Sequence, residues 1–294
     1  MSQFRAFGFR EAYGAADAVR YMLVERDEDG FFDYLDDMFP IDANFKQMAL
    51  APQKETFLHA LIENYLDQSS EYLRYKGDHE SVLREFESSF RAHGVAVPDE
   101  VQAASKRMGL AVGESDEGDD DDDDAKNGST TDDEDDADDE DDAEAVSVAH
   151  KLYQEACIPR ITTEVFTLLF ADRRFLVALN ERLVTLVIGL KLADHTDLLE
   201  RDGVVKRCPY WPAWLRRALV FRDKGHCAIC LKDISGLVAI GEDGYHVDHI
   251  VPLDLGGTND PTNLQLLCEA CNLAKGAGKA NTSSFGMVYW SAGD

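Results

Sequence analysis

The sequence predicts a mainly α-helical fold that ends in one small module of two strands and a helix, and three observations carry that prediction. Apolar and aromatic residues recur at helical spacing through most of residues 1–202, as in Phe57, Leu61, Tyr65, Tyr72 and Leu73. Strand character is concentrated in His246–Val251, whose alternation sets Val247, His249 and Val251 on one face and Asp248 on the other, and in Leu264–Leu267. Two Cys-x-x-Cys pairs, Cys227/Cys230 and Cys268/Cys271, bracket those strands.

At 294 residues the chain has room for one to three domains, and its 45% hydrophobic content is ordinary for a globular protein. The net charge of -28 is unevenly spread. Residues 114–144 hold 20 acidic side chains against one lysine, a net of -19, which leaves -9 for the rest. Residues 204–281 hold nine Lys/Arg against eight Asp/Glu, so this part is compatible with a nucleic-acid partner despite the acidic whole.

In chain order, residues 1–112 read as a helical domain. Helices are expected over Glu11–Arg26, Gly30–Phe39, Ala43–Tyr75, Glu80–Ala92 and Asp99–Met108, with breaks at Pro40, Pro52 and Gly77-Asp78. The many aromatic residues here suit a bundle core; the alternative is a docking surface for a partner protein. No nucleotide-binding glycine pattern is present, and His59, His79 and His93 are scattered.

Residues 113–144 are expected to be an acidic disordered linker or insertion, because so many like charges without aromatics bury too little surface to offset chain entropy. Such a run serves as a solvated tether, as a phosphate mimic folding back on a basic face, or as a weak attractor of divalent cations. Residues 145–202 return to helix, over Ala145–Ala156 and then Thr162–Ala193, with Thr162 or Thr163 as the cap after Pro159. This segment would pack on either neighbour. Charges interrupt its apolar run, so it is too short to span a membrane. The N-terminus lacks the apolar core of a signal peptide, which favours a reducing cytoplasm and metal-bound thiols over disulfides.

Residues 203–281 form the last domain, followed by a tail at 282–294. Pro209, Pro212, Trp211 and Trp214 precede a short helix whose Arg216, Arg217 and Arg222 are expected to reach outward to phosphate. The four paired cysteines have the chemistry of a tetrahedral zinc site, while Cys157 and Cys208 read as free thiols. Asp248, His249, Asn263 and Asn272 supply the residue types that hold a hard cation and deprotonate a water.

The pattern RDKGHCAIC … VDHIVPLDLGG … NLQLLCEACNLAKG, spanning Leu215 to Gly278, resembles the HNH endonuclease family. The resemblance implies a zinc-stabilised ββα-metal module and DNA phosphodiester hydrolysis, with RNA also compatible. It makes His249 the general base and Asn263 the residue that orients its imidazole, through its ring or its backbone. Asp248 and Asn272 become ligands to Mg²⁺ (or Mn²⁺), and Cys227, Cys230, Cys268 and Cys271 become ligands to structural Zn²⁺. Many members carry histidine where Asn272 stands, and the amide oxygen suits Mg²⁺ better than imidazole would. Lys275, one turn on, is expected to touch substrate phosphate. The architecture suggests a restriction or antiphage effector restrained or recruited through its helical part. The reading from another class is a zinc-containing module that binds nucleic acid or protein without cutting.

Overall fold

The structure is a computed structural model, and it describes residues 10–24, 35–110, 132–238, 245–276 and 280–282. It is mostly helical with few short strands, as the sequence predicts. The chain divides into two compact units that do not follow the sequential divisions expected above: residues 1–12 with 65–162, and residues 13–64 with 163–294. The helices are α1 (Arg10–Val24), α2 (Leu35–Met38), α3 (Ala43–Leu50), α4 (Phe57–Lys76), α5 (His79–His93), α6 (Asp99–Arg107) and α7 (Asp132–Leu152). There follow α8 (Ile158–Leu169), α9 (Arg173–Ile188), α10 (Ala213–Arg222), α11 (Ser235–Val238) and α12 (Glu269–Lys275).

In the first unit, α5 starts at Asp78, whose carboxylate accepts the Ser81 N–H at 2.8 Å, and ends on Gly94 in the left-handed region at φ 61°. Its buried stripe of Val82, Leu83, Phe86 and Phe90 packs with Val101 and Ala104 of α6 and with Ala145, Val146 and Ala149 of α7. The expected disorder of 113–144 is corrected at its C-terminal end. Residues 132–144 belong to α7, while 111–131 lie outside the described residues. Arg107 pairs with Asp142, and the buried alanines and valine further on anchor the helix.

The expected helix start at Thr162 is also corrected. A π turn, Tyr153–Cys157, carries α7 directly into α8, with the Ile158 N–H donating to the Tyr153 carbonyl. Pro159 therefore sits just after a locally widened turn, which relieves the clash its ring would make in a regular α-helix.

In the second unit, Phe57 is the centre of an aromatic group, 5.1 Å from Phe45 and 5.5 Å from Phe39 between ring centroids. Helix α9 begins at Asp172, which accepts the Phe175 N–H and pairs with Arg20 at 3.1 Å, and buries Phe175, Leu176, Leu179 and Leu183. An antiparallel hairpin follows, β1 (Leu199–Arg201) and β2 (Val204–Val205), so the boundary expected at residue 203 falls within its turn. Strands β3 (His246–His249) and β4 (Leu264–Leu267) pair antiparallel, with Asp248 opposite Gln265 and His249 opposite Leu264. Leu215, Leu219, Cys227, Ala228, Ile234, Leu264, Leu266 and Leu267 form the core of this C-terminal module.

Candidate functional site

Two knuckles frame the site. All four cysteine sulfurs lie within 4.8 Å of one another, and Cys230 and Cys268 are 3.8 Å apart. A tetrahedral ion with Zn–S bonds of about 2.3 Å requires S···S edges of about 3.8 Å, so the cluster fits zinc. Burial raises the Cys227 thiol, but N–H groups of Cys230, Cys268 and Ile229 outweigh it and hold the thiol at about 7. Burial and the three neighbouring thiols push Cys271 up. Four thiolates at this spacing need a cation, which is the chemistry zinc supplies. His226 is not part of the cluster: its Nδ1 lies 2.6 Å from the Lys224 carbonyl.

Between the knuckles, the chain leaves β3 and is folded back by Asn263. Its Oδ1 accepts the Val251 N–H at 2.8 Å, and its Nδ2 donates to the Val251 and Thr258 carbonyls at 2.9 and 2.8 Å. The loop closes so tightly that a Cβ on Gly257 would lie 2.0 Å from the Val251 oxygen. The Asn263 side chain is thus committed to the loop backbone and not to the ring, and its own carbonyl accepts the Ile250 N–H beside His249 at 2.6 Å, which leaves only the backbone route by which it was expected to orient the imidazole.

Asn259 is the side chain that meets that ring: its Oδ1 lies 3.1 Å from His249 Nε2. The same oxygen accepts the Cys208 N–H at 3.2 Å, and Nδ2 donates to the carbonyls of Ala49, Leu50 and Lys206. The amide orientation is therefore fixed. An amide oxygen only accepts, so the imidazole carries its proton on Nε2 and its lone pair on Nδ1. Burial, despite the Asn259 hydrogen bond, holds His249 at about 4, so it is neutral near pH 7. This hold of Asn259 on the ring escaped sequence reading because most of its partners lie far off in the chain; its only local signal is the Asn-Asp-Pro turn.

Asp248, His249 and Asn272 line one cavity of about 650 Å³, together with Arg207, Arg216, His246, Trp211 and Tyr245. Asp248 Oδ2 accepts from Lys275 Nζ at 3.0 Å and Gln265 Nε2 at 3.1 Å. A carboxylate and an amide facing one polar cavity form a hard-oxygen donor set of the kind that suits Mg²⁺.

Lys275 is buried and also donates to the His249 carbonyl at 2.6 Å, so it braces the site from within and is not placed to receive phosphate. Arg222 is likewise buried. It pairs with Asp223 at 2.8 Å, donates to the Leu264 carbonyl and lies over the Phe170 ring, which corrects its expected outward reach. Asp223 in turn accepts from Arg173 and the Leu266 N–H, joining α9, α10 and β4. Arg217 is exposed but does not line the cavity, whereas Arg207, which sequence reading missed, does. Its signal was the Lys206-Arg207 pair leading into the Tyr210-Trp211 run.

Residues 227–278 match the family model described as HNH endonuclease. No curated protein and no solved structure matches the chain. No helix among the described residues is long and apolar enough to cross a membrane.

Proposed function

We propose, from the premise that residues 227–278 are an HNH endonuclease domain, that the protein hydrolyses DNA phosphodiester bonds to leave a 5′-phosphate and a 3′-hydroxyl. The observation that carries this reading is the cavity shared by the Asp248 carboxylate, the Asn272 amide and a His249 imidazole whose protonation pattern Asn259 fixes. His249 is neutral near pH 7 and holds its lone pair at Nδ1, ready to take the proton of a water as that water attacks phosphorus. Arg207 and Arg216, which line the same cavity, offer cationic contacts to the phosphate backbone. Lys275 and Gln265 keep the Asp248 carboxylate in place. Mg²⁺ (or Mn²⁺) held by Asp248 and Asn272 would supply electrostatic stabilisation of the charge that develops on the phosphate and leaving oxygen. Zinc at the four cysteines would be structural.

Without a long basic helix or repeat array, base-specific selection is weak or comes from a partner. An unrestrained cutter of this kind is toxic to its own cell, which favours a cytoplasmic restriction or antiphage effector controlled through its helical part.

The test is incubation of the purified protein with supercoiled, linear and single-stranded DNA and with RNA in Mg²⁺, beside His249→Ala. Cleavage lost in the variant supports the enzyme. Equal residual cleavage in both means a contaminant, and binding without cleavage by the wild type favours a non-catalytic zinc module.

A further inference from the structure

We infer that helix α3 is a working part of the catalytic centre: its C-terminal carbonyls, acting through Asn259, fix the tautomer and placement of the His249 imidazole. The inference takes its functional meaning from His249 as the base.

A helix end leaves its last carbonyls without intrahelical donors. In α3 the chain continues with Ala51, extended at φ -150° and ψ 148°, and then Pro52, which has no N–H to offer. The carbonyls of Ala49 and Leu50 are instead met by Asn259 Nδ2, each at 3.1 Å, and Ala49 also receives the Asn259 N–H at 2.9 Å. Asn259 thus caps a helix some 210 residues before it with its amide nitrogen and holds the imidazole with its amide oxygen.

The next residue repeats the arrangement with opposite polarity. Asp260 is fully buried, and its Oδ2 accepts the Phe57 N–H at the start of α4, 3.2 Å away. An amide donor at the end of α3 and a carboxylate at the start of α4 each suit the helix terminus they face. The connection between the helices is held at both ends by two consecutive residues of the catalytic loop.

If α3 shifts, Nδ2 loses two of its three carbonyl acceptors. The force that keeps Oδ1 toward the imidazole falls with them. An amide turned about Cβ–Cγ would present Nδ2 to Nε2 and favour the proton on Nδ1, which removes the lone pair from the atom that must take it.

The experiment uses full-length, zinc-loaded protein labelled with ¹⁵N-histidine at neutral pH, with Asn259→Asp and Phe45→Leu. Asn259→Asp keeps an oxygen for Nε2–H but loses the donors to α3. Phe45→Leu loosens α3 against Phe57 without touching the network. Imidazole ¹⁵N spectra report the His249 tautomer, single-turnover cleavage reports the base, and DNA affinity is the control. Expected are an Nε2–H tautomer in the wild type and in Asn259→Asp, whose carboxylate only accepts, a mixture in Phe45→Leu, and cleavage reduced about 10- to 100-fold in both variants at unchanged affinity. Wild-type rates in the variants with an unmixed tautomer in Phe45→Leu overturn the inference. If Asn259→Asp does not fold, Phe45→Leu decides alone. If the wild type cuts nothing, the nuclease reading falls, and the tautomer spectra still decide whether α3 governs the ring.

Discussion

Lys275 Nζ lies 3.0 Å from Asp248 Oδ2, with the lysine side chain 1% and the aspartate 17% exposed. The pair joins the C-terminal end of α12 to β3, and the same ammonium holds the His249 carbonyl. Lys275→Met leaves a largely buried carboxylate with Gln265 as its one donor among the described residues, so stability should fall by about 3 kcal/mol in urea melts. Arg207→Ala and Arg216→Ala should show the opposite profile, with stability kept and DNA affinity lowered. Each should reduce the slope of log affinity against log salt by about 1. A salt slope that falls for Lys275→Met as well would return that lysine to the substrate face.

Zinc removal should unfold the C-terminal module. The module buries few large side chains, and its four sulfurs come from both of its ends. One zinc per chain is expected by elemental analysis, and chelation should abolish cooperative melting of the module. Cys271→Ser should lower zinc content and melting temperature together. Metal binding must deprotonate thiols, including one held up by burial and its neighbours, so zinc affinity should weaken as pH falls even above neutrality, and more steeply below about 7, where Cys227 takes up its proton as well.

Gly257→Ala should be among the most damaging single-methyl changes in the chain. The added carbon would lie 2.0 Å from the Val251 carbonyl and 2.9 Å from Asn263 Nδ2, so the loop or the Asn263 bracket must give way. The expected cost is above about 3 kcal/mol, with loss of cleavage. Gly236→Ala, which meets nothing within 4 Å, is the control and should change stability by less than about 1 kcal/mol. Equal melting temperatures for the two variants would mean that the bracket yields freely.

What the sequence disclosed and what it hid divide along the range of the interactions. Cys227, Cys230, Cys268 and Cys271 were legible because their spacing is local and their chemistry is specific. Asp248, His249 and Asn272 were nameable from the same stretch, and the structure sets all three along one cavity. Arg222 was misread because a guanidinium near a chain turn looks like a phosphate contact until a buried Asp223 and a strand carbonyl claim it. Asn259 is legible as a loop residue, but its hold on the imidazole is not, because Ala49 and Leu50 stand some 210 residues earlier, and no periodicity or motif announces that approach. Helix α7 reached back into the acidic run because its apolar residues, from Ala145 on, have α5 and α6 to pack against. Composition alone registers the charge and not that anchor.

Acid should weaken the second unit through its histidines. Burial lowers His59 from 6.5 to about 4, and its Nδ1, 3.2 Å from the Thr56 N–H, accepts that bond only when unprotonated. The unfolded chain therefore binds a proton near pH 6.5 that the folded chain refuses until about 4, so stability falls as pH drops through that window and levels off below it. His249 behaves in the same sense. Asp260 acts oppositely: burial raises it from 3.8 to about 6, so its contribution favours the fold at low pH and is lost as pH rises toward 6. Burial raises the Glu63 carboxyl as well, and with two large histidine shifts against these two carboxyls the net slope between pH 6.5 and 4 should still be loss of stability on acidification. Urea melts across this range should show that slope flattened in His59→Gln and steepened in Asp260→Asn, which removes one opposing carboxyl. A His59→Gln curve parallel to the wild type would show that His59 takes up its proton at no cost to the fold, with the Thr56 N–H bond contributing nothing.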